Sequence, residues 1–174
     1  MYKKLVVVGD VGTGKSTIIQ TLSEIETVNT DVKASDSIGK ELTTVGIDYG
    51  RINIGENQAL GLYGVPGQER FSFVWDMVKE NIWGYIILLK SGDKEMLHRL
   101  NRLLDYFLDD KNTPVVIGIT HTDLNPTRIE NIYKVLDKRG IPAPVYSIDP
   151  RVKKSAFLLI HTLVGISEAN SIAG

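Results

Sequence analysis

An α/β fold, with a six-stranded, mainly parallel sheet, one antiparallel edge strand and helices on both faces, is the class this 174-residue sequence predicts. Three observations lead there. Short apolar runs alternate with segments of helical period, which calls for parallel strands joined by crossover helices. Two strand-like runs meet at Gly55-Glu56-Asn57 and read as a hairpin, the source of the antiparallel edge. The first strand runs through a glycine-rich loop into a helix, so the loop sits at the carboxyl end of a strand, where such sheets bind ligands.

Each element follows in order. Lys4 to Val8 (KLVVV) is a buried strand, and Ser16 to Ile25 carries apolar residues at 18, 19, 22 and 25, a helical spacing. Residues 26–43 are polar and aperiodic and read as loop. GIDYGRINIG and NQALGLYGV form the hairpin. A helix is expected over about 70–80, where Phe71, Phe73, Val74, Trp75 and Val78 exceed what one helical face buries. One or two of these aromatics are left for a partner surface. WGYIILLK is a strand, and apolar positions 96, 97, 100, 103, 104, 107 and 108 make an amphipathic helix of residues 94–109. PVVIGIT is a strand. A helix over 127–138 stops at Gly140, with Pro142 beyond. A short strand, PVYSI, and a helix over about 152–165 finish a single domain, 1–174.

Composition narrows the function. With a net charge of −1, nothing marks a nucleic-acid or anionic-membrane binder. The absence of cysteine excludes disulfides, thiolate metal sites and cysteine catalysis, and fits a cytoplasmic protein. A strand at the very start leaves no room for a signal peptide. No apolar run approaches the ~18 residues of a membrane span. Tyr2 stands where myristoylation needs glycine, and the C-terminus has no cysteine to prenylate, so no direct membrane anchor is expected.

The glycine-rich loop, Gly9-Asp10-Val11-Gly12-Thr13-Gly14-Lys15-Ser16, fits G-x-x-x-x-G-K-[ST] in full. Backbone N–H groups of such a loop and of the following helix converge on an anion. Gly12, Thr13 and Gly14 form the cradle. Lys15 reaches the β- and γ-phosphates, Ser16 offers its hydroxyl to Mg²⁺, and Thr17 faces the α-phosphate. The base is addressed by Thr120-His121-Thr122-Asp123 after a strand. A buried carboxylate there accepts from guanine N1–H and the exocyclic amine, whereas adenine presents an acceptor at N1. The plainer reading of Asp123 is a cap on the turn Asp123-Leu124-Asn125-Pro126.

At this point the chain resembles the Ras-like GTPases. THTD lies where they carry NKxD, and Thr120 in first place is similar to their Rho branch. His121 replaces the lysine whose stem packs over the base, and its imidazole can stack instead. The last guanine loop, S-A-K in the family, has two matches. Ser147-Ile148-Asp149 makes Ile148 N–H the donor to guanine O6, and Asp149-Pro150-Arg151 puts a proline without N–H in the donor's place. Thr43-Thr44-Val45-Gly46 resembles the Arf-type switch I and nominates Thr44 as a Mg²⁺ ligand. GVPGQER resembles switch II, with Gly67 as γ-phosphate sensor and Gln68 as the catalytic residue that orients water.

Gly64 breaks the pattern, because the family's DxxG aspartate belongs there. Its absence, with GVPGQERFSFVWDMV and TTVGIDYGRI, is similar to the bacterial MglA-like and conservon-type GTPases. The resemblance implies a Ras-like P-loop NTPase fold, GTP/GDP with Mg²⁺ as ligands, slow hydrolysis, and regulatory partners such as a Roadblock-type GTPase-activating protein. Asp48 is the candidate replacement carboxylate; otherwise it is an exposed strand residue. Arg51 and Arg70 read as solvated charges rather than arginine fingers, and His98 and His161 as structural. Two rivals stay open: a pseudo-GTPase that holds guanine nucleotide and signals by contact alone, and a P-loop kinase or ATPase.

Overall fold

The computed structural model describes residues 2–34, 43–55, 57–108 and 113–173. The chain runs β1 (Tyr2–Gly9), α1 (Lys15–Leu22), β2 (Val28–Ala34), β3 (Thr43–Asn53) and β4 (Ala59–Pro66). A 3₁₀ turn, Glu69–Phe71, leads into α2 (Ser72–Val78), then β5 (Ile82–Lys90), α3 (Met96–Phe107) and β6 (Val115–Thr120). It ends with α4 (Ile129–Arg139), β7 (Val145–Ser147) and α5 (Lys153–Ala173).

One sheet of seven strands in the order β2-β3-β4-β1-β5-β6-β7 unites them. Strand β1 pairs in parallel with β4 and β5, and β6 joins β5 and β7 in parallel. Strand β3 runs antiparallel to both β4 and β2. The chain leaves β1 toward one edge and returns to its other side at β5, so the reversal falls beside the glycine-rich loop. That crevice is where an open α/β sheet binds its ligand.

Six strands were expected, and β2 is the seventh. It lies within the stretch 26–43 read as loop, of which residues 35–42 are outside the described ones. Val28 is 53% exposed, and β2 pairs backbone to backbone with β3 from Val28↔Tyr49 to Ala34↔Thr43. Its sequence, VNTDVKA, alternates Val28, Thr30, Val32 and Ala34 with Asn29, Asp31 and Lys33, a period of two that the loop reading passed over. Glu56 at the hairpin tip and Asp109, the last residue of the expected helix 94–109, also lie outside the described residues.

The pleat of the central strands divides the core between the two faces. Val6 and Val8 of β1, with Ile87 and Leu89 of β5, pack under Trp75, Leu100, Leu104 and Ile132 of α2, α3 and α4. Leu5, Val7, Ile86 and Leu88 face Ile18 and Ile19 of α1 and Leu159 and Leu163 of α5. On length and composition α5 could cross a membrane, contrary to the sequence expectation of no such run. Ala156, Leu159, Ile160 and Leu163 are nevertheless buried against the sheet, the position of a core helix. It also continues to Ala173, beyond the expected end near 165.

Candidate functional site

The glycine-rich loop closes between β1 and α1. Gly12 and Gly14 take left-handed φ of 75° and 95°, which glycine adopts without strain. Gly14 is required twice over, since a Cβ there would lie 2.8 Å from Pro150 Cγ. Thr13 is buried, and its Oγ1 donates to the Asp10 carbonyl (2.9 Å). Lys15 Nζ donates to the same carbonyl (2.8 Å). Burial pushes the Lys15 pKa down, while Asp10 and Asp48 pull it back up. The loop therefore holds a desolvated cation that a phosphate would match.

Ser16 Oγ donates to Asp48 Oδ2 at 2.6 Å, and Asn29 Nδ2 donates to Asp48 Oδ1 at 3.4 Å. Asp48 lies across the ladder from Gly64. The Ser16 hydroxyl spends its one hydrogen on the carboxylate, which leaves its oxygen as an acceptor. Hard oxygen donors of this kind fit Mg²⁺. Thr44 is in β3, but its side chain is outside the described residues, so its part in the site stays an expectation.

The loop after β4 is clamped at one peptide. Gly67 N–H donates to the Gly9 carbonyl (2.8 Å), and the Gly67 carbonyl accepts from Arg102 Nη2 (2.9 Å). One residue earlier, the Pro66 carbonyl accepts from Trp75 Nε1 (2.5 Å). Gln68 Oε1 accepts from Arg70 Nε at 3.0 Å and lines a cleft with Asp10, Ser91 and Arg99. The Asp10 carboxylate is ion-paired to Arg99, whose guanidinium also meets Asp93 (2.9 Å) and Glu95 (3.0 Å). Sequence reading missed both α3 arginines, because at i, i+3 on an amphipathic helix they look like solvated face. Val74, Trp75 and Val78 are buried as expected, with Phe71 and Phe73 half-buried beside them.

A second cleft, of about 590 Å³, opens between Gly12, Gly14, Thr17, His121, Asp123 and Arg151. Thr120, next to His121, is fully buried, and its Oγ1 donates to the Thr13 carbonyl (3.0 Å), tying base loop to phosphate loop. His121 has φ 59° and its Nδ1 sits 2.9 Å from Thr120 Oγ1. Asp123 is on the wall but exposed, where the sequence reading made it buried. Thr122 Oγ1 and Ser147 Oγ share a hydrogen bond of 2.6 Å.

Ile148 requires a correction. Its side chain is 4% exposed in the core, and its N–H extends the sheet by donating to the Ile119 carbonyl (2.9 Å). It has no donor for a base. Pro150, packed over Gly14, and Arg151 line the cleft beside it, and with the Ile148 N–H committed to the sheet the hydrogen bonding favours the second match, Asp149-Pro150-Arg151. Arg151 grips Asp149 through Nε (2.9 Å) and Nη2 (2.7 Å), and those bonds hold the Asp149 carboxyl down at about 2.

A phosphate loop at the switch point of a mixed sheet, with a base-sized cleft beside it, defines a P-loop nucleotide-binding domain. The model of the Ras family matches residues 4–139, and the chain belongs to that family: it is a Ras-family small GTPase. Members of the family generally bind guanine nucleotide with Mg²⁺ and hydrolyse GTP. In sequence the chain is similar to mouse ADP-ribosylation factor-like protein 14, 29% identical over 115 residues, which are 64% of this chain. That match spans about half of the relative, 54% of its length. In fold it is similar to the Arl6 BBS3 small GTPase from Trypanosoma brucei with bound GppNp, at TM-score 0.72 and 15% identity, over 98% of this chain and 99% of that one. The G domain of the T. maritima FeoB iron transporter overlays with TM-score 0.64 at 16% identity, over 96% and 99%.

Proposed function

We propose that the protein is a GTP/GDP switch of the bacterial MglA-like and conservon-type group, dependent on Mg²⁺ and slow to hydrolyse GTP by itself. The observation that carries this reading is the Ser16–Asp48 hydrogen bond of 2.6 Å opposite Gly64. The carboxylate that other family members carry in the DxxG motif is absent, and one from the neighbouring strand stands beside the P-loop hydroxyl. When bound, Mg²⁺ would neutralise phosphate charge. Ser16 and Thr44 would hold it, with Asp48 orienting Ser16.

The chain's own residues do the rest. Lys15 meets the phosphates, and Asp123 reads the base. Gly67 exchanges its Gly9 carbonyl for the γ-phosphate, which orders the loop before α2. Gln68 orients water once Arg70 lets go of its Oε1, and that hold supports a slow basal rate. A cytoplasmic regulator, Roadblock-type by resemblance, would dock near Phe71 and the exposed Met77. The Arg70–Gln68 contact also favours the second reading, a pseudo-GTPase.

Competition of fluorescent GDP by GTP, GDP, ATP and ADP, with and without Mg²⁺, tests the binding. Guanine selectivity strengthened by Mg²⁺ is expected, and equal competition by ATP would sink the reading. Single-turnover hydrolysis by wild type and Gln68→Leu decides between switch and pseudo-GTPase: equal rates would favour the latter.

A further inference from the structure

The loop after β7 has no backbone donor left for a base. Ile148 N–H goes to the Ile119 carbonyl (2.9 Å) and Val152 N–H to the Asp149 carbonyl (3.1 Å). Asp149 N–H goes to Ser155 Oγ (3.0 Å), and Arg151 N–H to Asp149 Oδ1 (3.0 Å). Pro150 has none. A guanine in the adjoining cleft presents O6 and N7, two acceptors on one edge, and leaving O6 unmatched would give up part of the selectivity against adenine.

We propose that Arg151 reads guanine by its side chain, its guanidinium supplying to O6 and N7 the hydrogen bonds for which this loop has no backbone N–H. This rests on the guanine reading of the cleft. The guanidinium lines that cleft together with Asp123, and Asp149 fixes its plane by taking Nε and Nη2. The outer edge of the guanidinium, one N–H each of Nη1 and Nη2, remains for a ligand. A planar fork with two donors is the geometry that matches O6 and N7 of guanine. The electrostatics agree: Asp149 first, and Asp123 at longer range, both stabilise the Arg151 cation. Anionic Asp123 against N1–H and the amine, and cationic Arg151 against O6, form a dipole complementary to guanine. Adenine opposes it on both sides, with an acceptor at N1 and an amine in place of O6, so selectivity comes partly from repulsion.

Ser147 is the rival donor, since its hydroxyl and that of Thr122 share one bond and leave one proton over. The test is binding of GDP, 6-thio-GDP and ADP to the full chain and to Arg151→Ala, Arg151→Lys and Ser147→Ala. The thio analogue keeps N1–H and the amine but replaces O6 by a weak acceptor. Arg151→Ala is expected to lose roughly tenfold for GDP and under about twofold for 6-thio-GDP, the size of one charge-assisted hydrogen bond. Arg151→Lys should fall between. The Arg151 side chain is 74% exposed, so the variants should fold as wild type does, and a thermal melt checks it. Equal losses for the two nucleotides, no loss, or transfer of the effect to Ser147→Ala would overturn the assignment while leaving guanine selectivity intact. Wild type that binds ADP as tightly as GDP would instead overturn the guanine reading itself.

Discussion

Asp48 and Gly64 face each other across the β3–β4 ladder, and the carboxylate of one lies beside the space that a side chain on the other would claim. A Cβ at 64 would come within 3.3 Å of Asp48 Oδ2 and 2.6 Å of Ile19 Cδ1. The two positions are therefore coupled: the site has room for a carboxylate from β3 or from β4. Asp48→Ala is expected to speed GDP release in Mg²⁺ by about tenfold, as loss of an orienting partner commonly does. In excess EDTA the variant and wild type should release alike. Equal rates in Mg²⁺ would remove Asp48 from the metal's surroundings.

Gly64→Asp, which restores the family residue, should be harmful in this background. It sets like charges opposite each other and overpacks Ile19, a cost of about 1–3 kcal/mol. Thermal melting should show the loss, and the double variant Gly64→Asp with Asp48→Ala should recover part of it. Strictly additive losses would mean that the two sites do not compete.

Gly67→Ala meets backbone rather than a yielding side chain. Its Cβ would sit 2.8 Å from the Gly9 carbonyl carbon and 3.0 Å from Asp10 N. The loop cannot then close on β1. Single-turnover GTP hydrolysis should fall by at least roughly tenfold while GDP affinity changes little, because the displaced loop carries the residue-67 N–H away from a γ-phosphate that GDP lacks. A normal rate would exclude Gly67 from the reaction.

Trp75 is a built-in reporter of that loop. It is one of two tryptophans, and its indole donates to the Pro66 carbonyl, whereas Trp83 donates to Ser167. In a Trp83→Phe variant, emission should differ between the GDP and GppNp forms. Arg102→Ala, which releases the Gly67 carbonyl, should shrink that difference. Identical spectra in the two forms would argue against a nucleotide-driven movement here.

The Asp149–Arg151 pair makes a prediction in pH. The folded carboxyl is held at about 2 by the Arg151 hydrogen bonds, against an ordinary 3.8. Its folded pKa is depressed, so the stabilisation is present above about pH 4 and is lost as pH falls through 2. In Arg151→Ala, carboxyl ¹³C titration should find Asp149 back toward 3.8. A carboxyl still titrating near 2 would mean that something other than the guanidinium holds it down.

What was legible in the sequence follows from what leaves a mark on it. The phosphate loop is a contiguous motif, and the pleat of β1 and β5 is written in runs of valine, isoleucine and leucine. Asp48 was readable as a candidate because Gly64 is a visible gap in a known pattern. Strand β2 was missed although VNTDVKA alternates with a period of two, because that short signal sits inside a longer polar stretch read whole as loop. Ile148 was misread because S-x-D looks alike whether its middle N–H faces a ligand or a neighbouring strand. The ties of Arg99 to Asp10 and of Arg102 to Gly67 left no signal either, the partners being 89 and 35 residues away in the chain.

The Thr120 hydroxyl is fully buried, yet it joins the base loop to the phosphate loop through the Thr13 carbonyl. Half a ligand therefore cannot report half the affinity. Pyrophosphate alone or guanosine alone would have to order the shared seam without help from the other end. Each should bind far more weakly than its share of the contacts suggests, and only an intact nucleotide would organise the two compartments in one event.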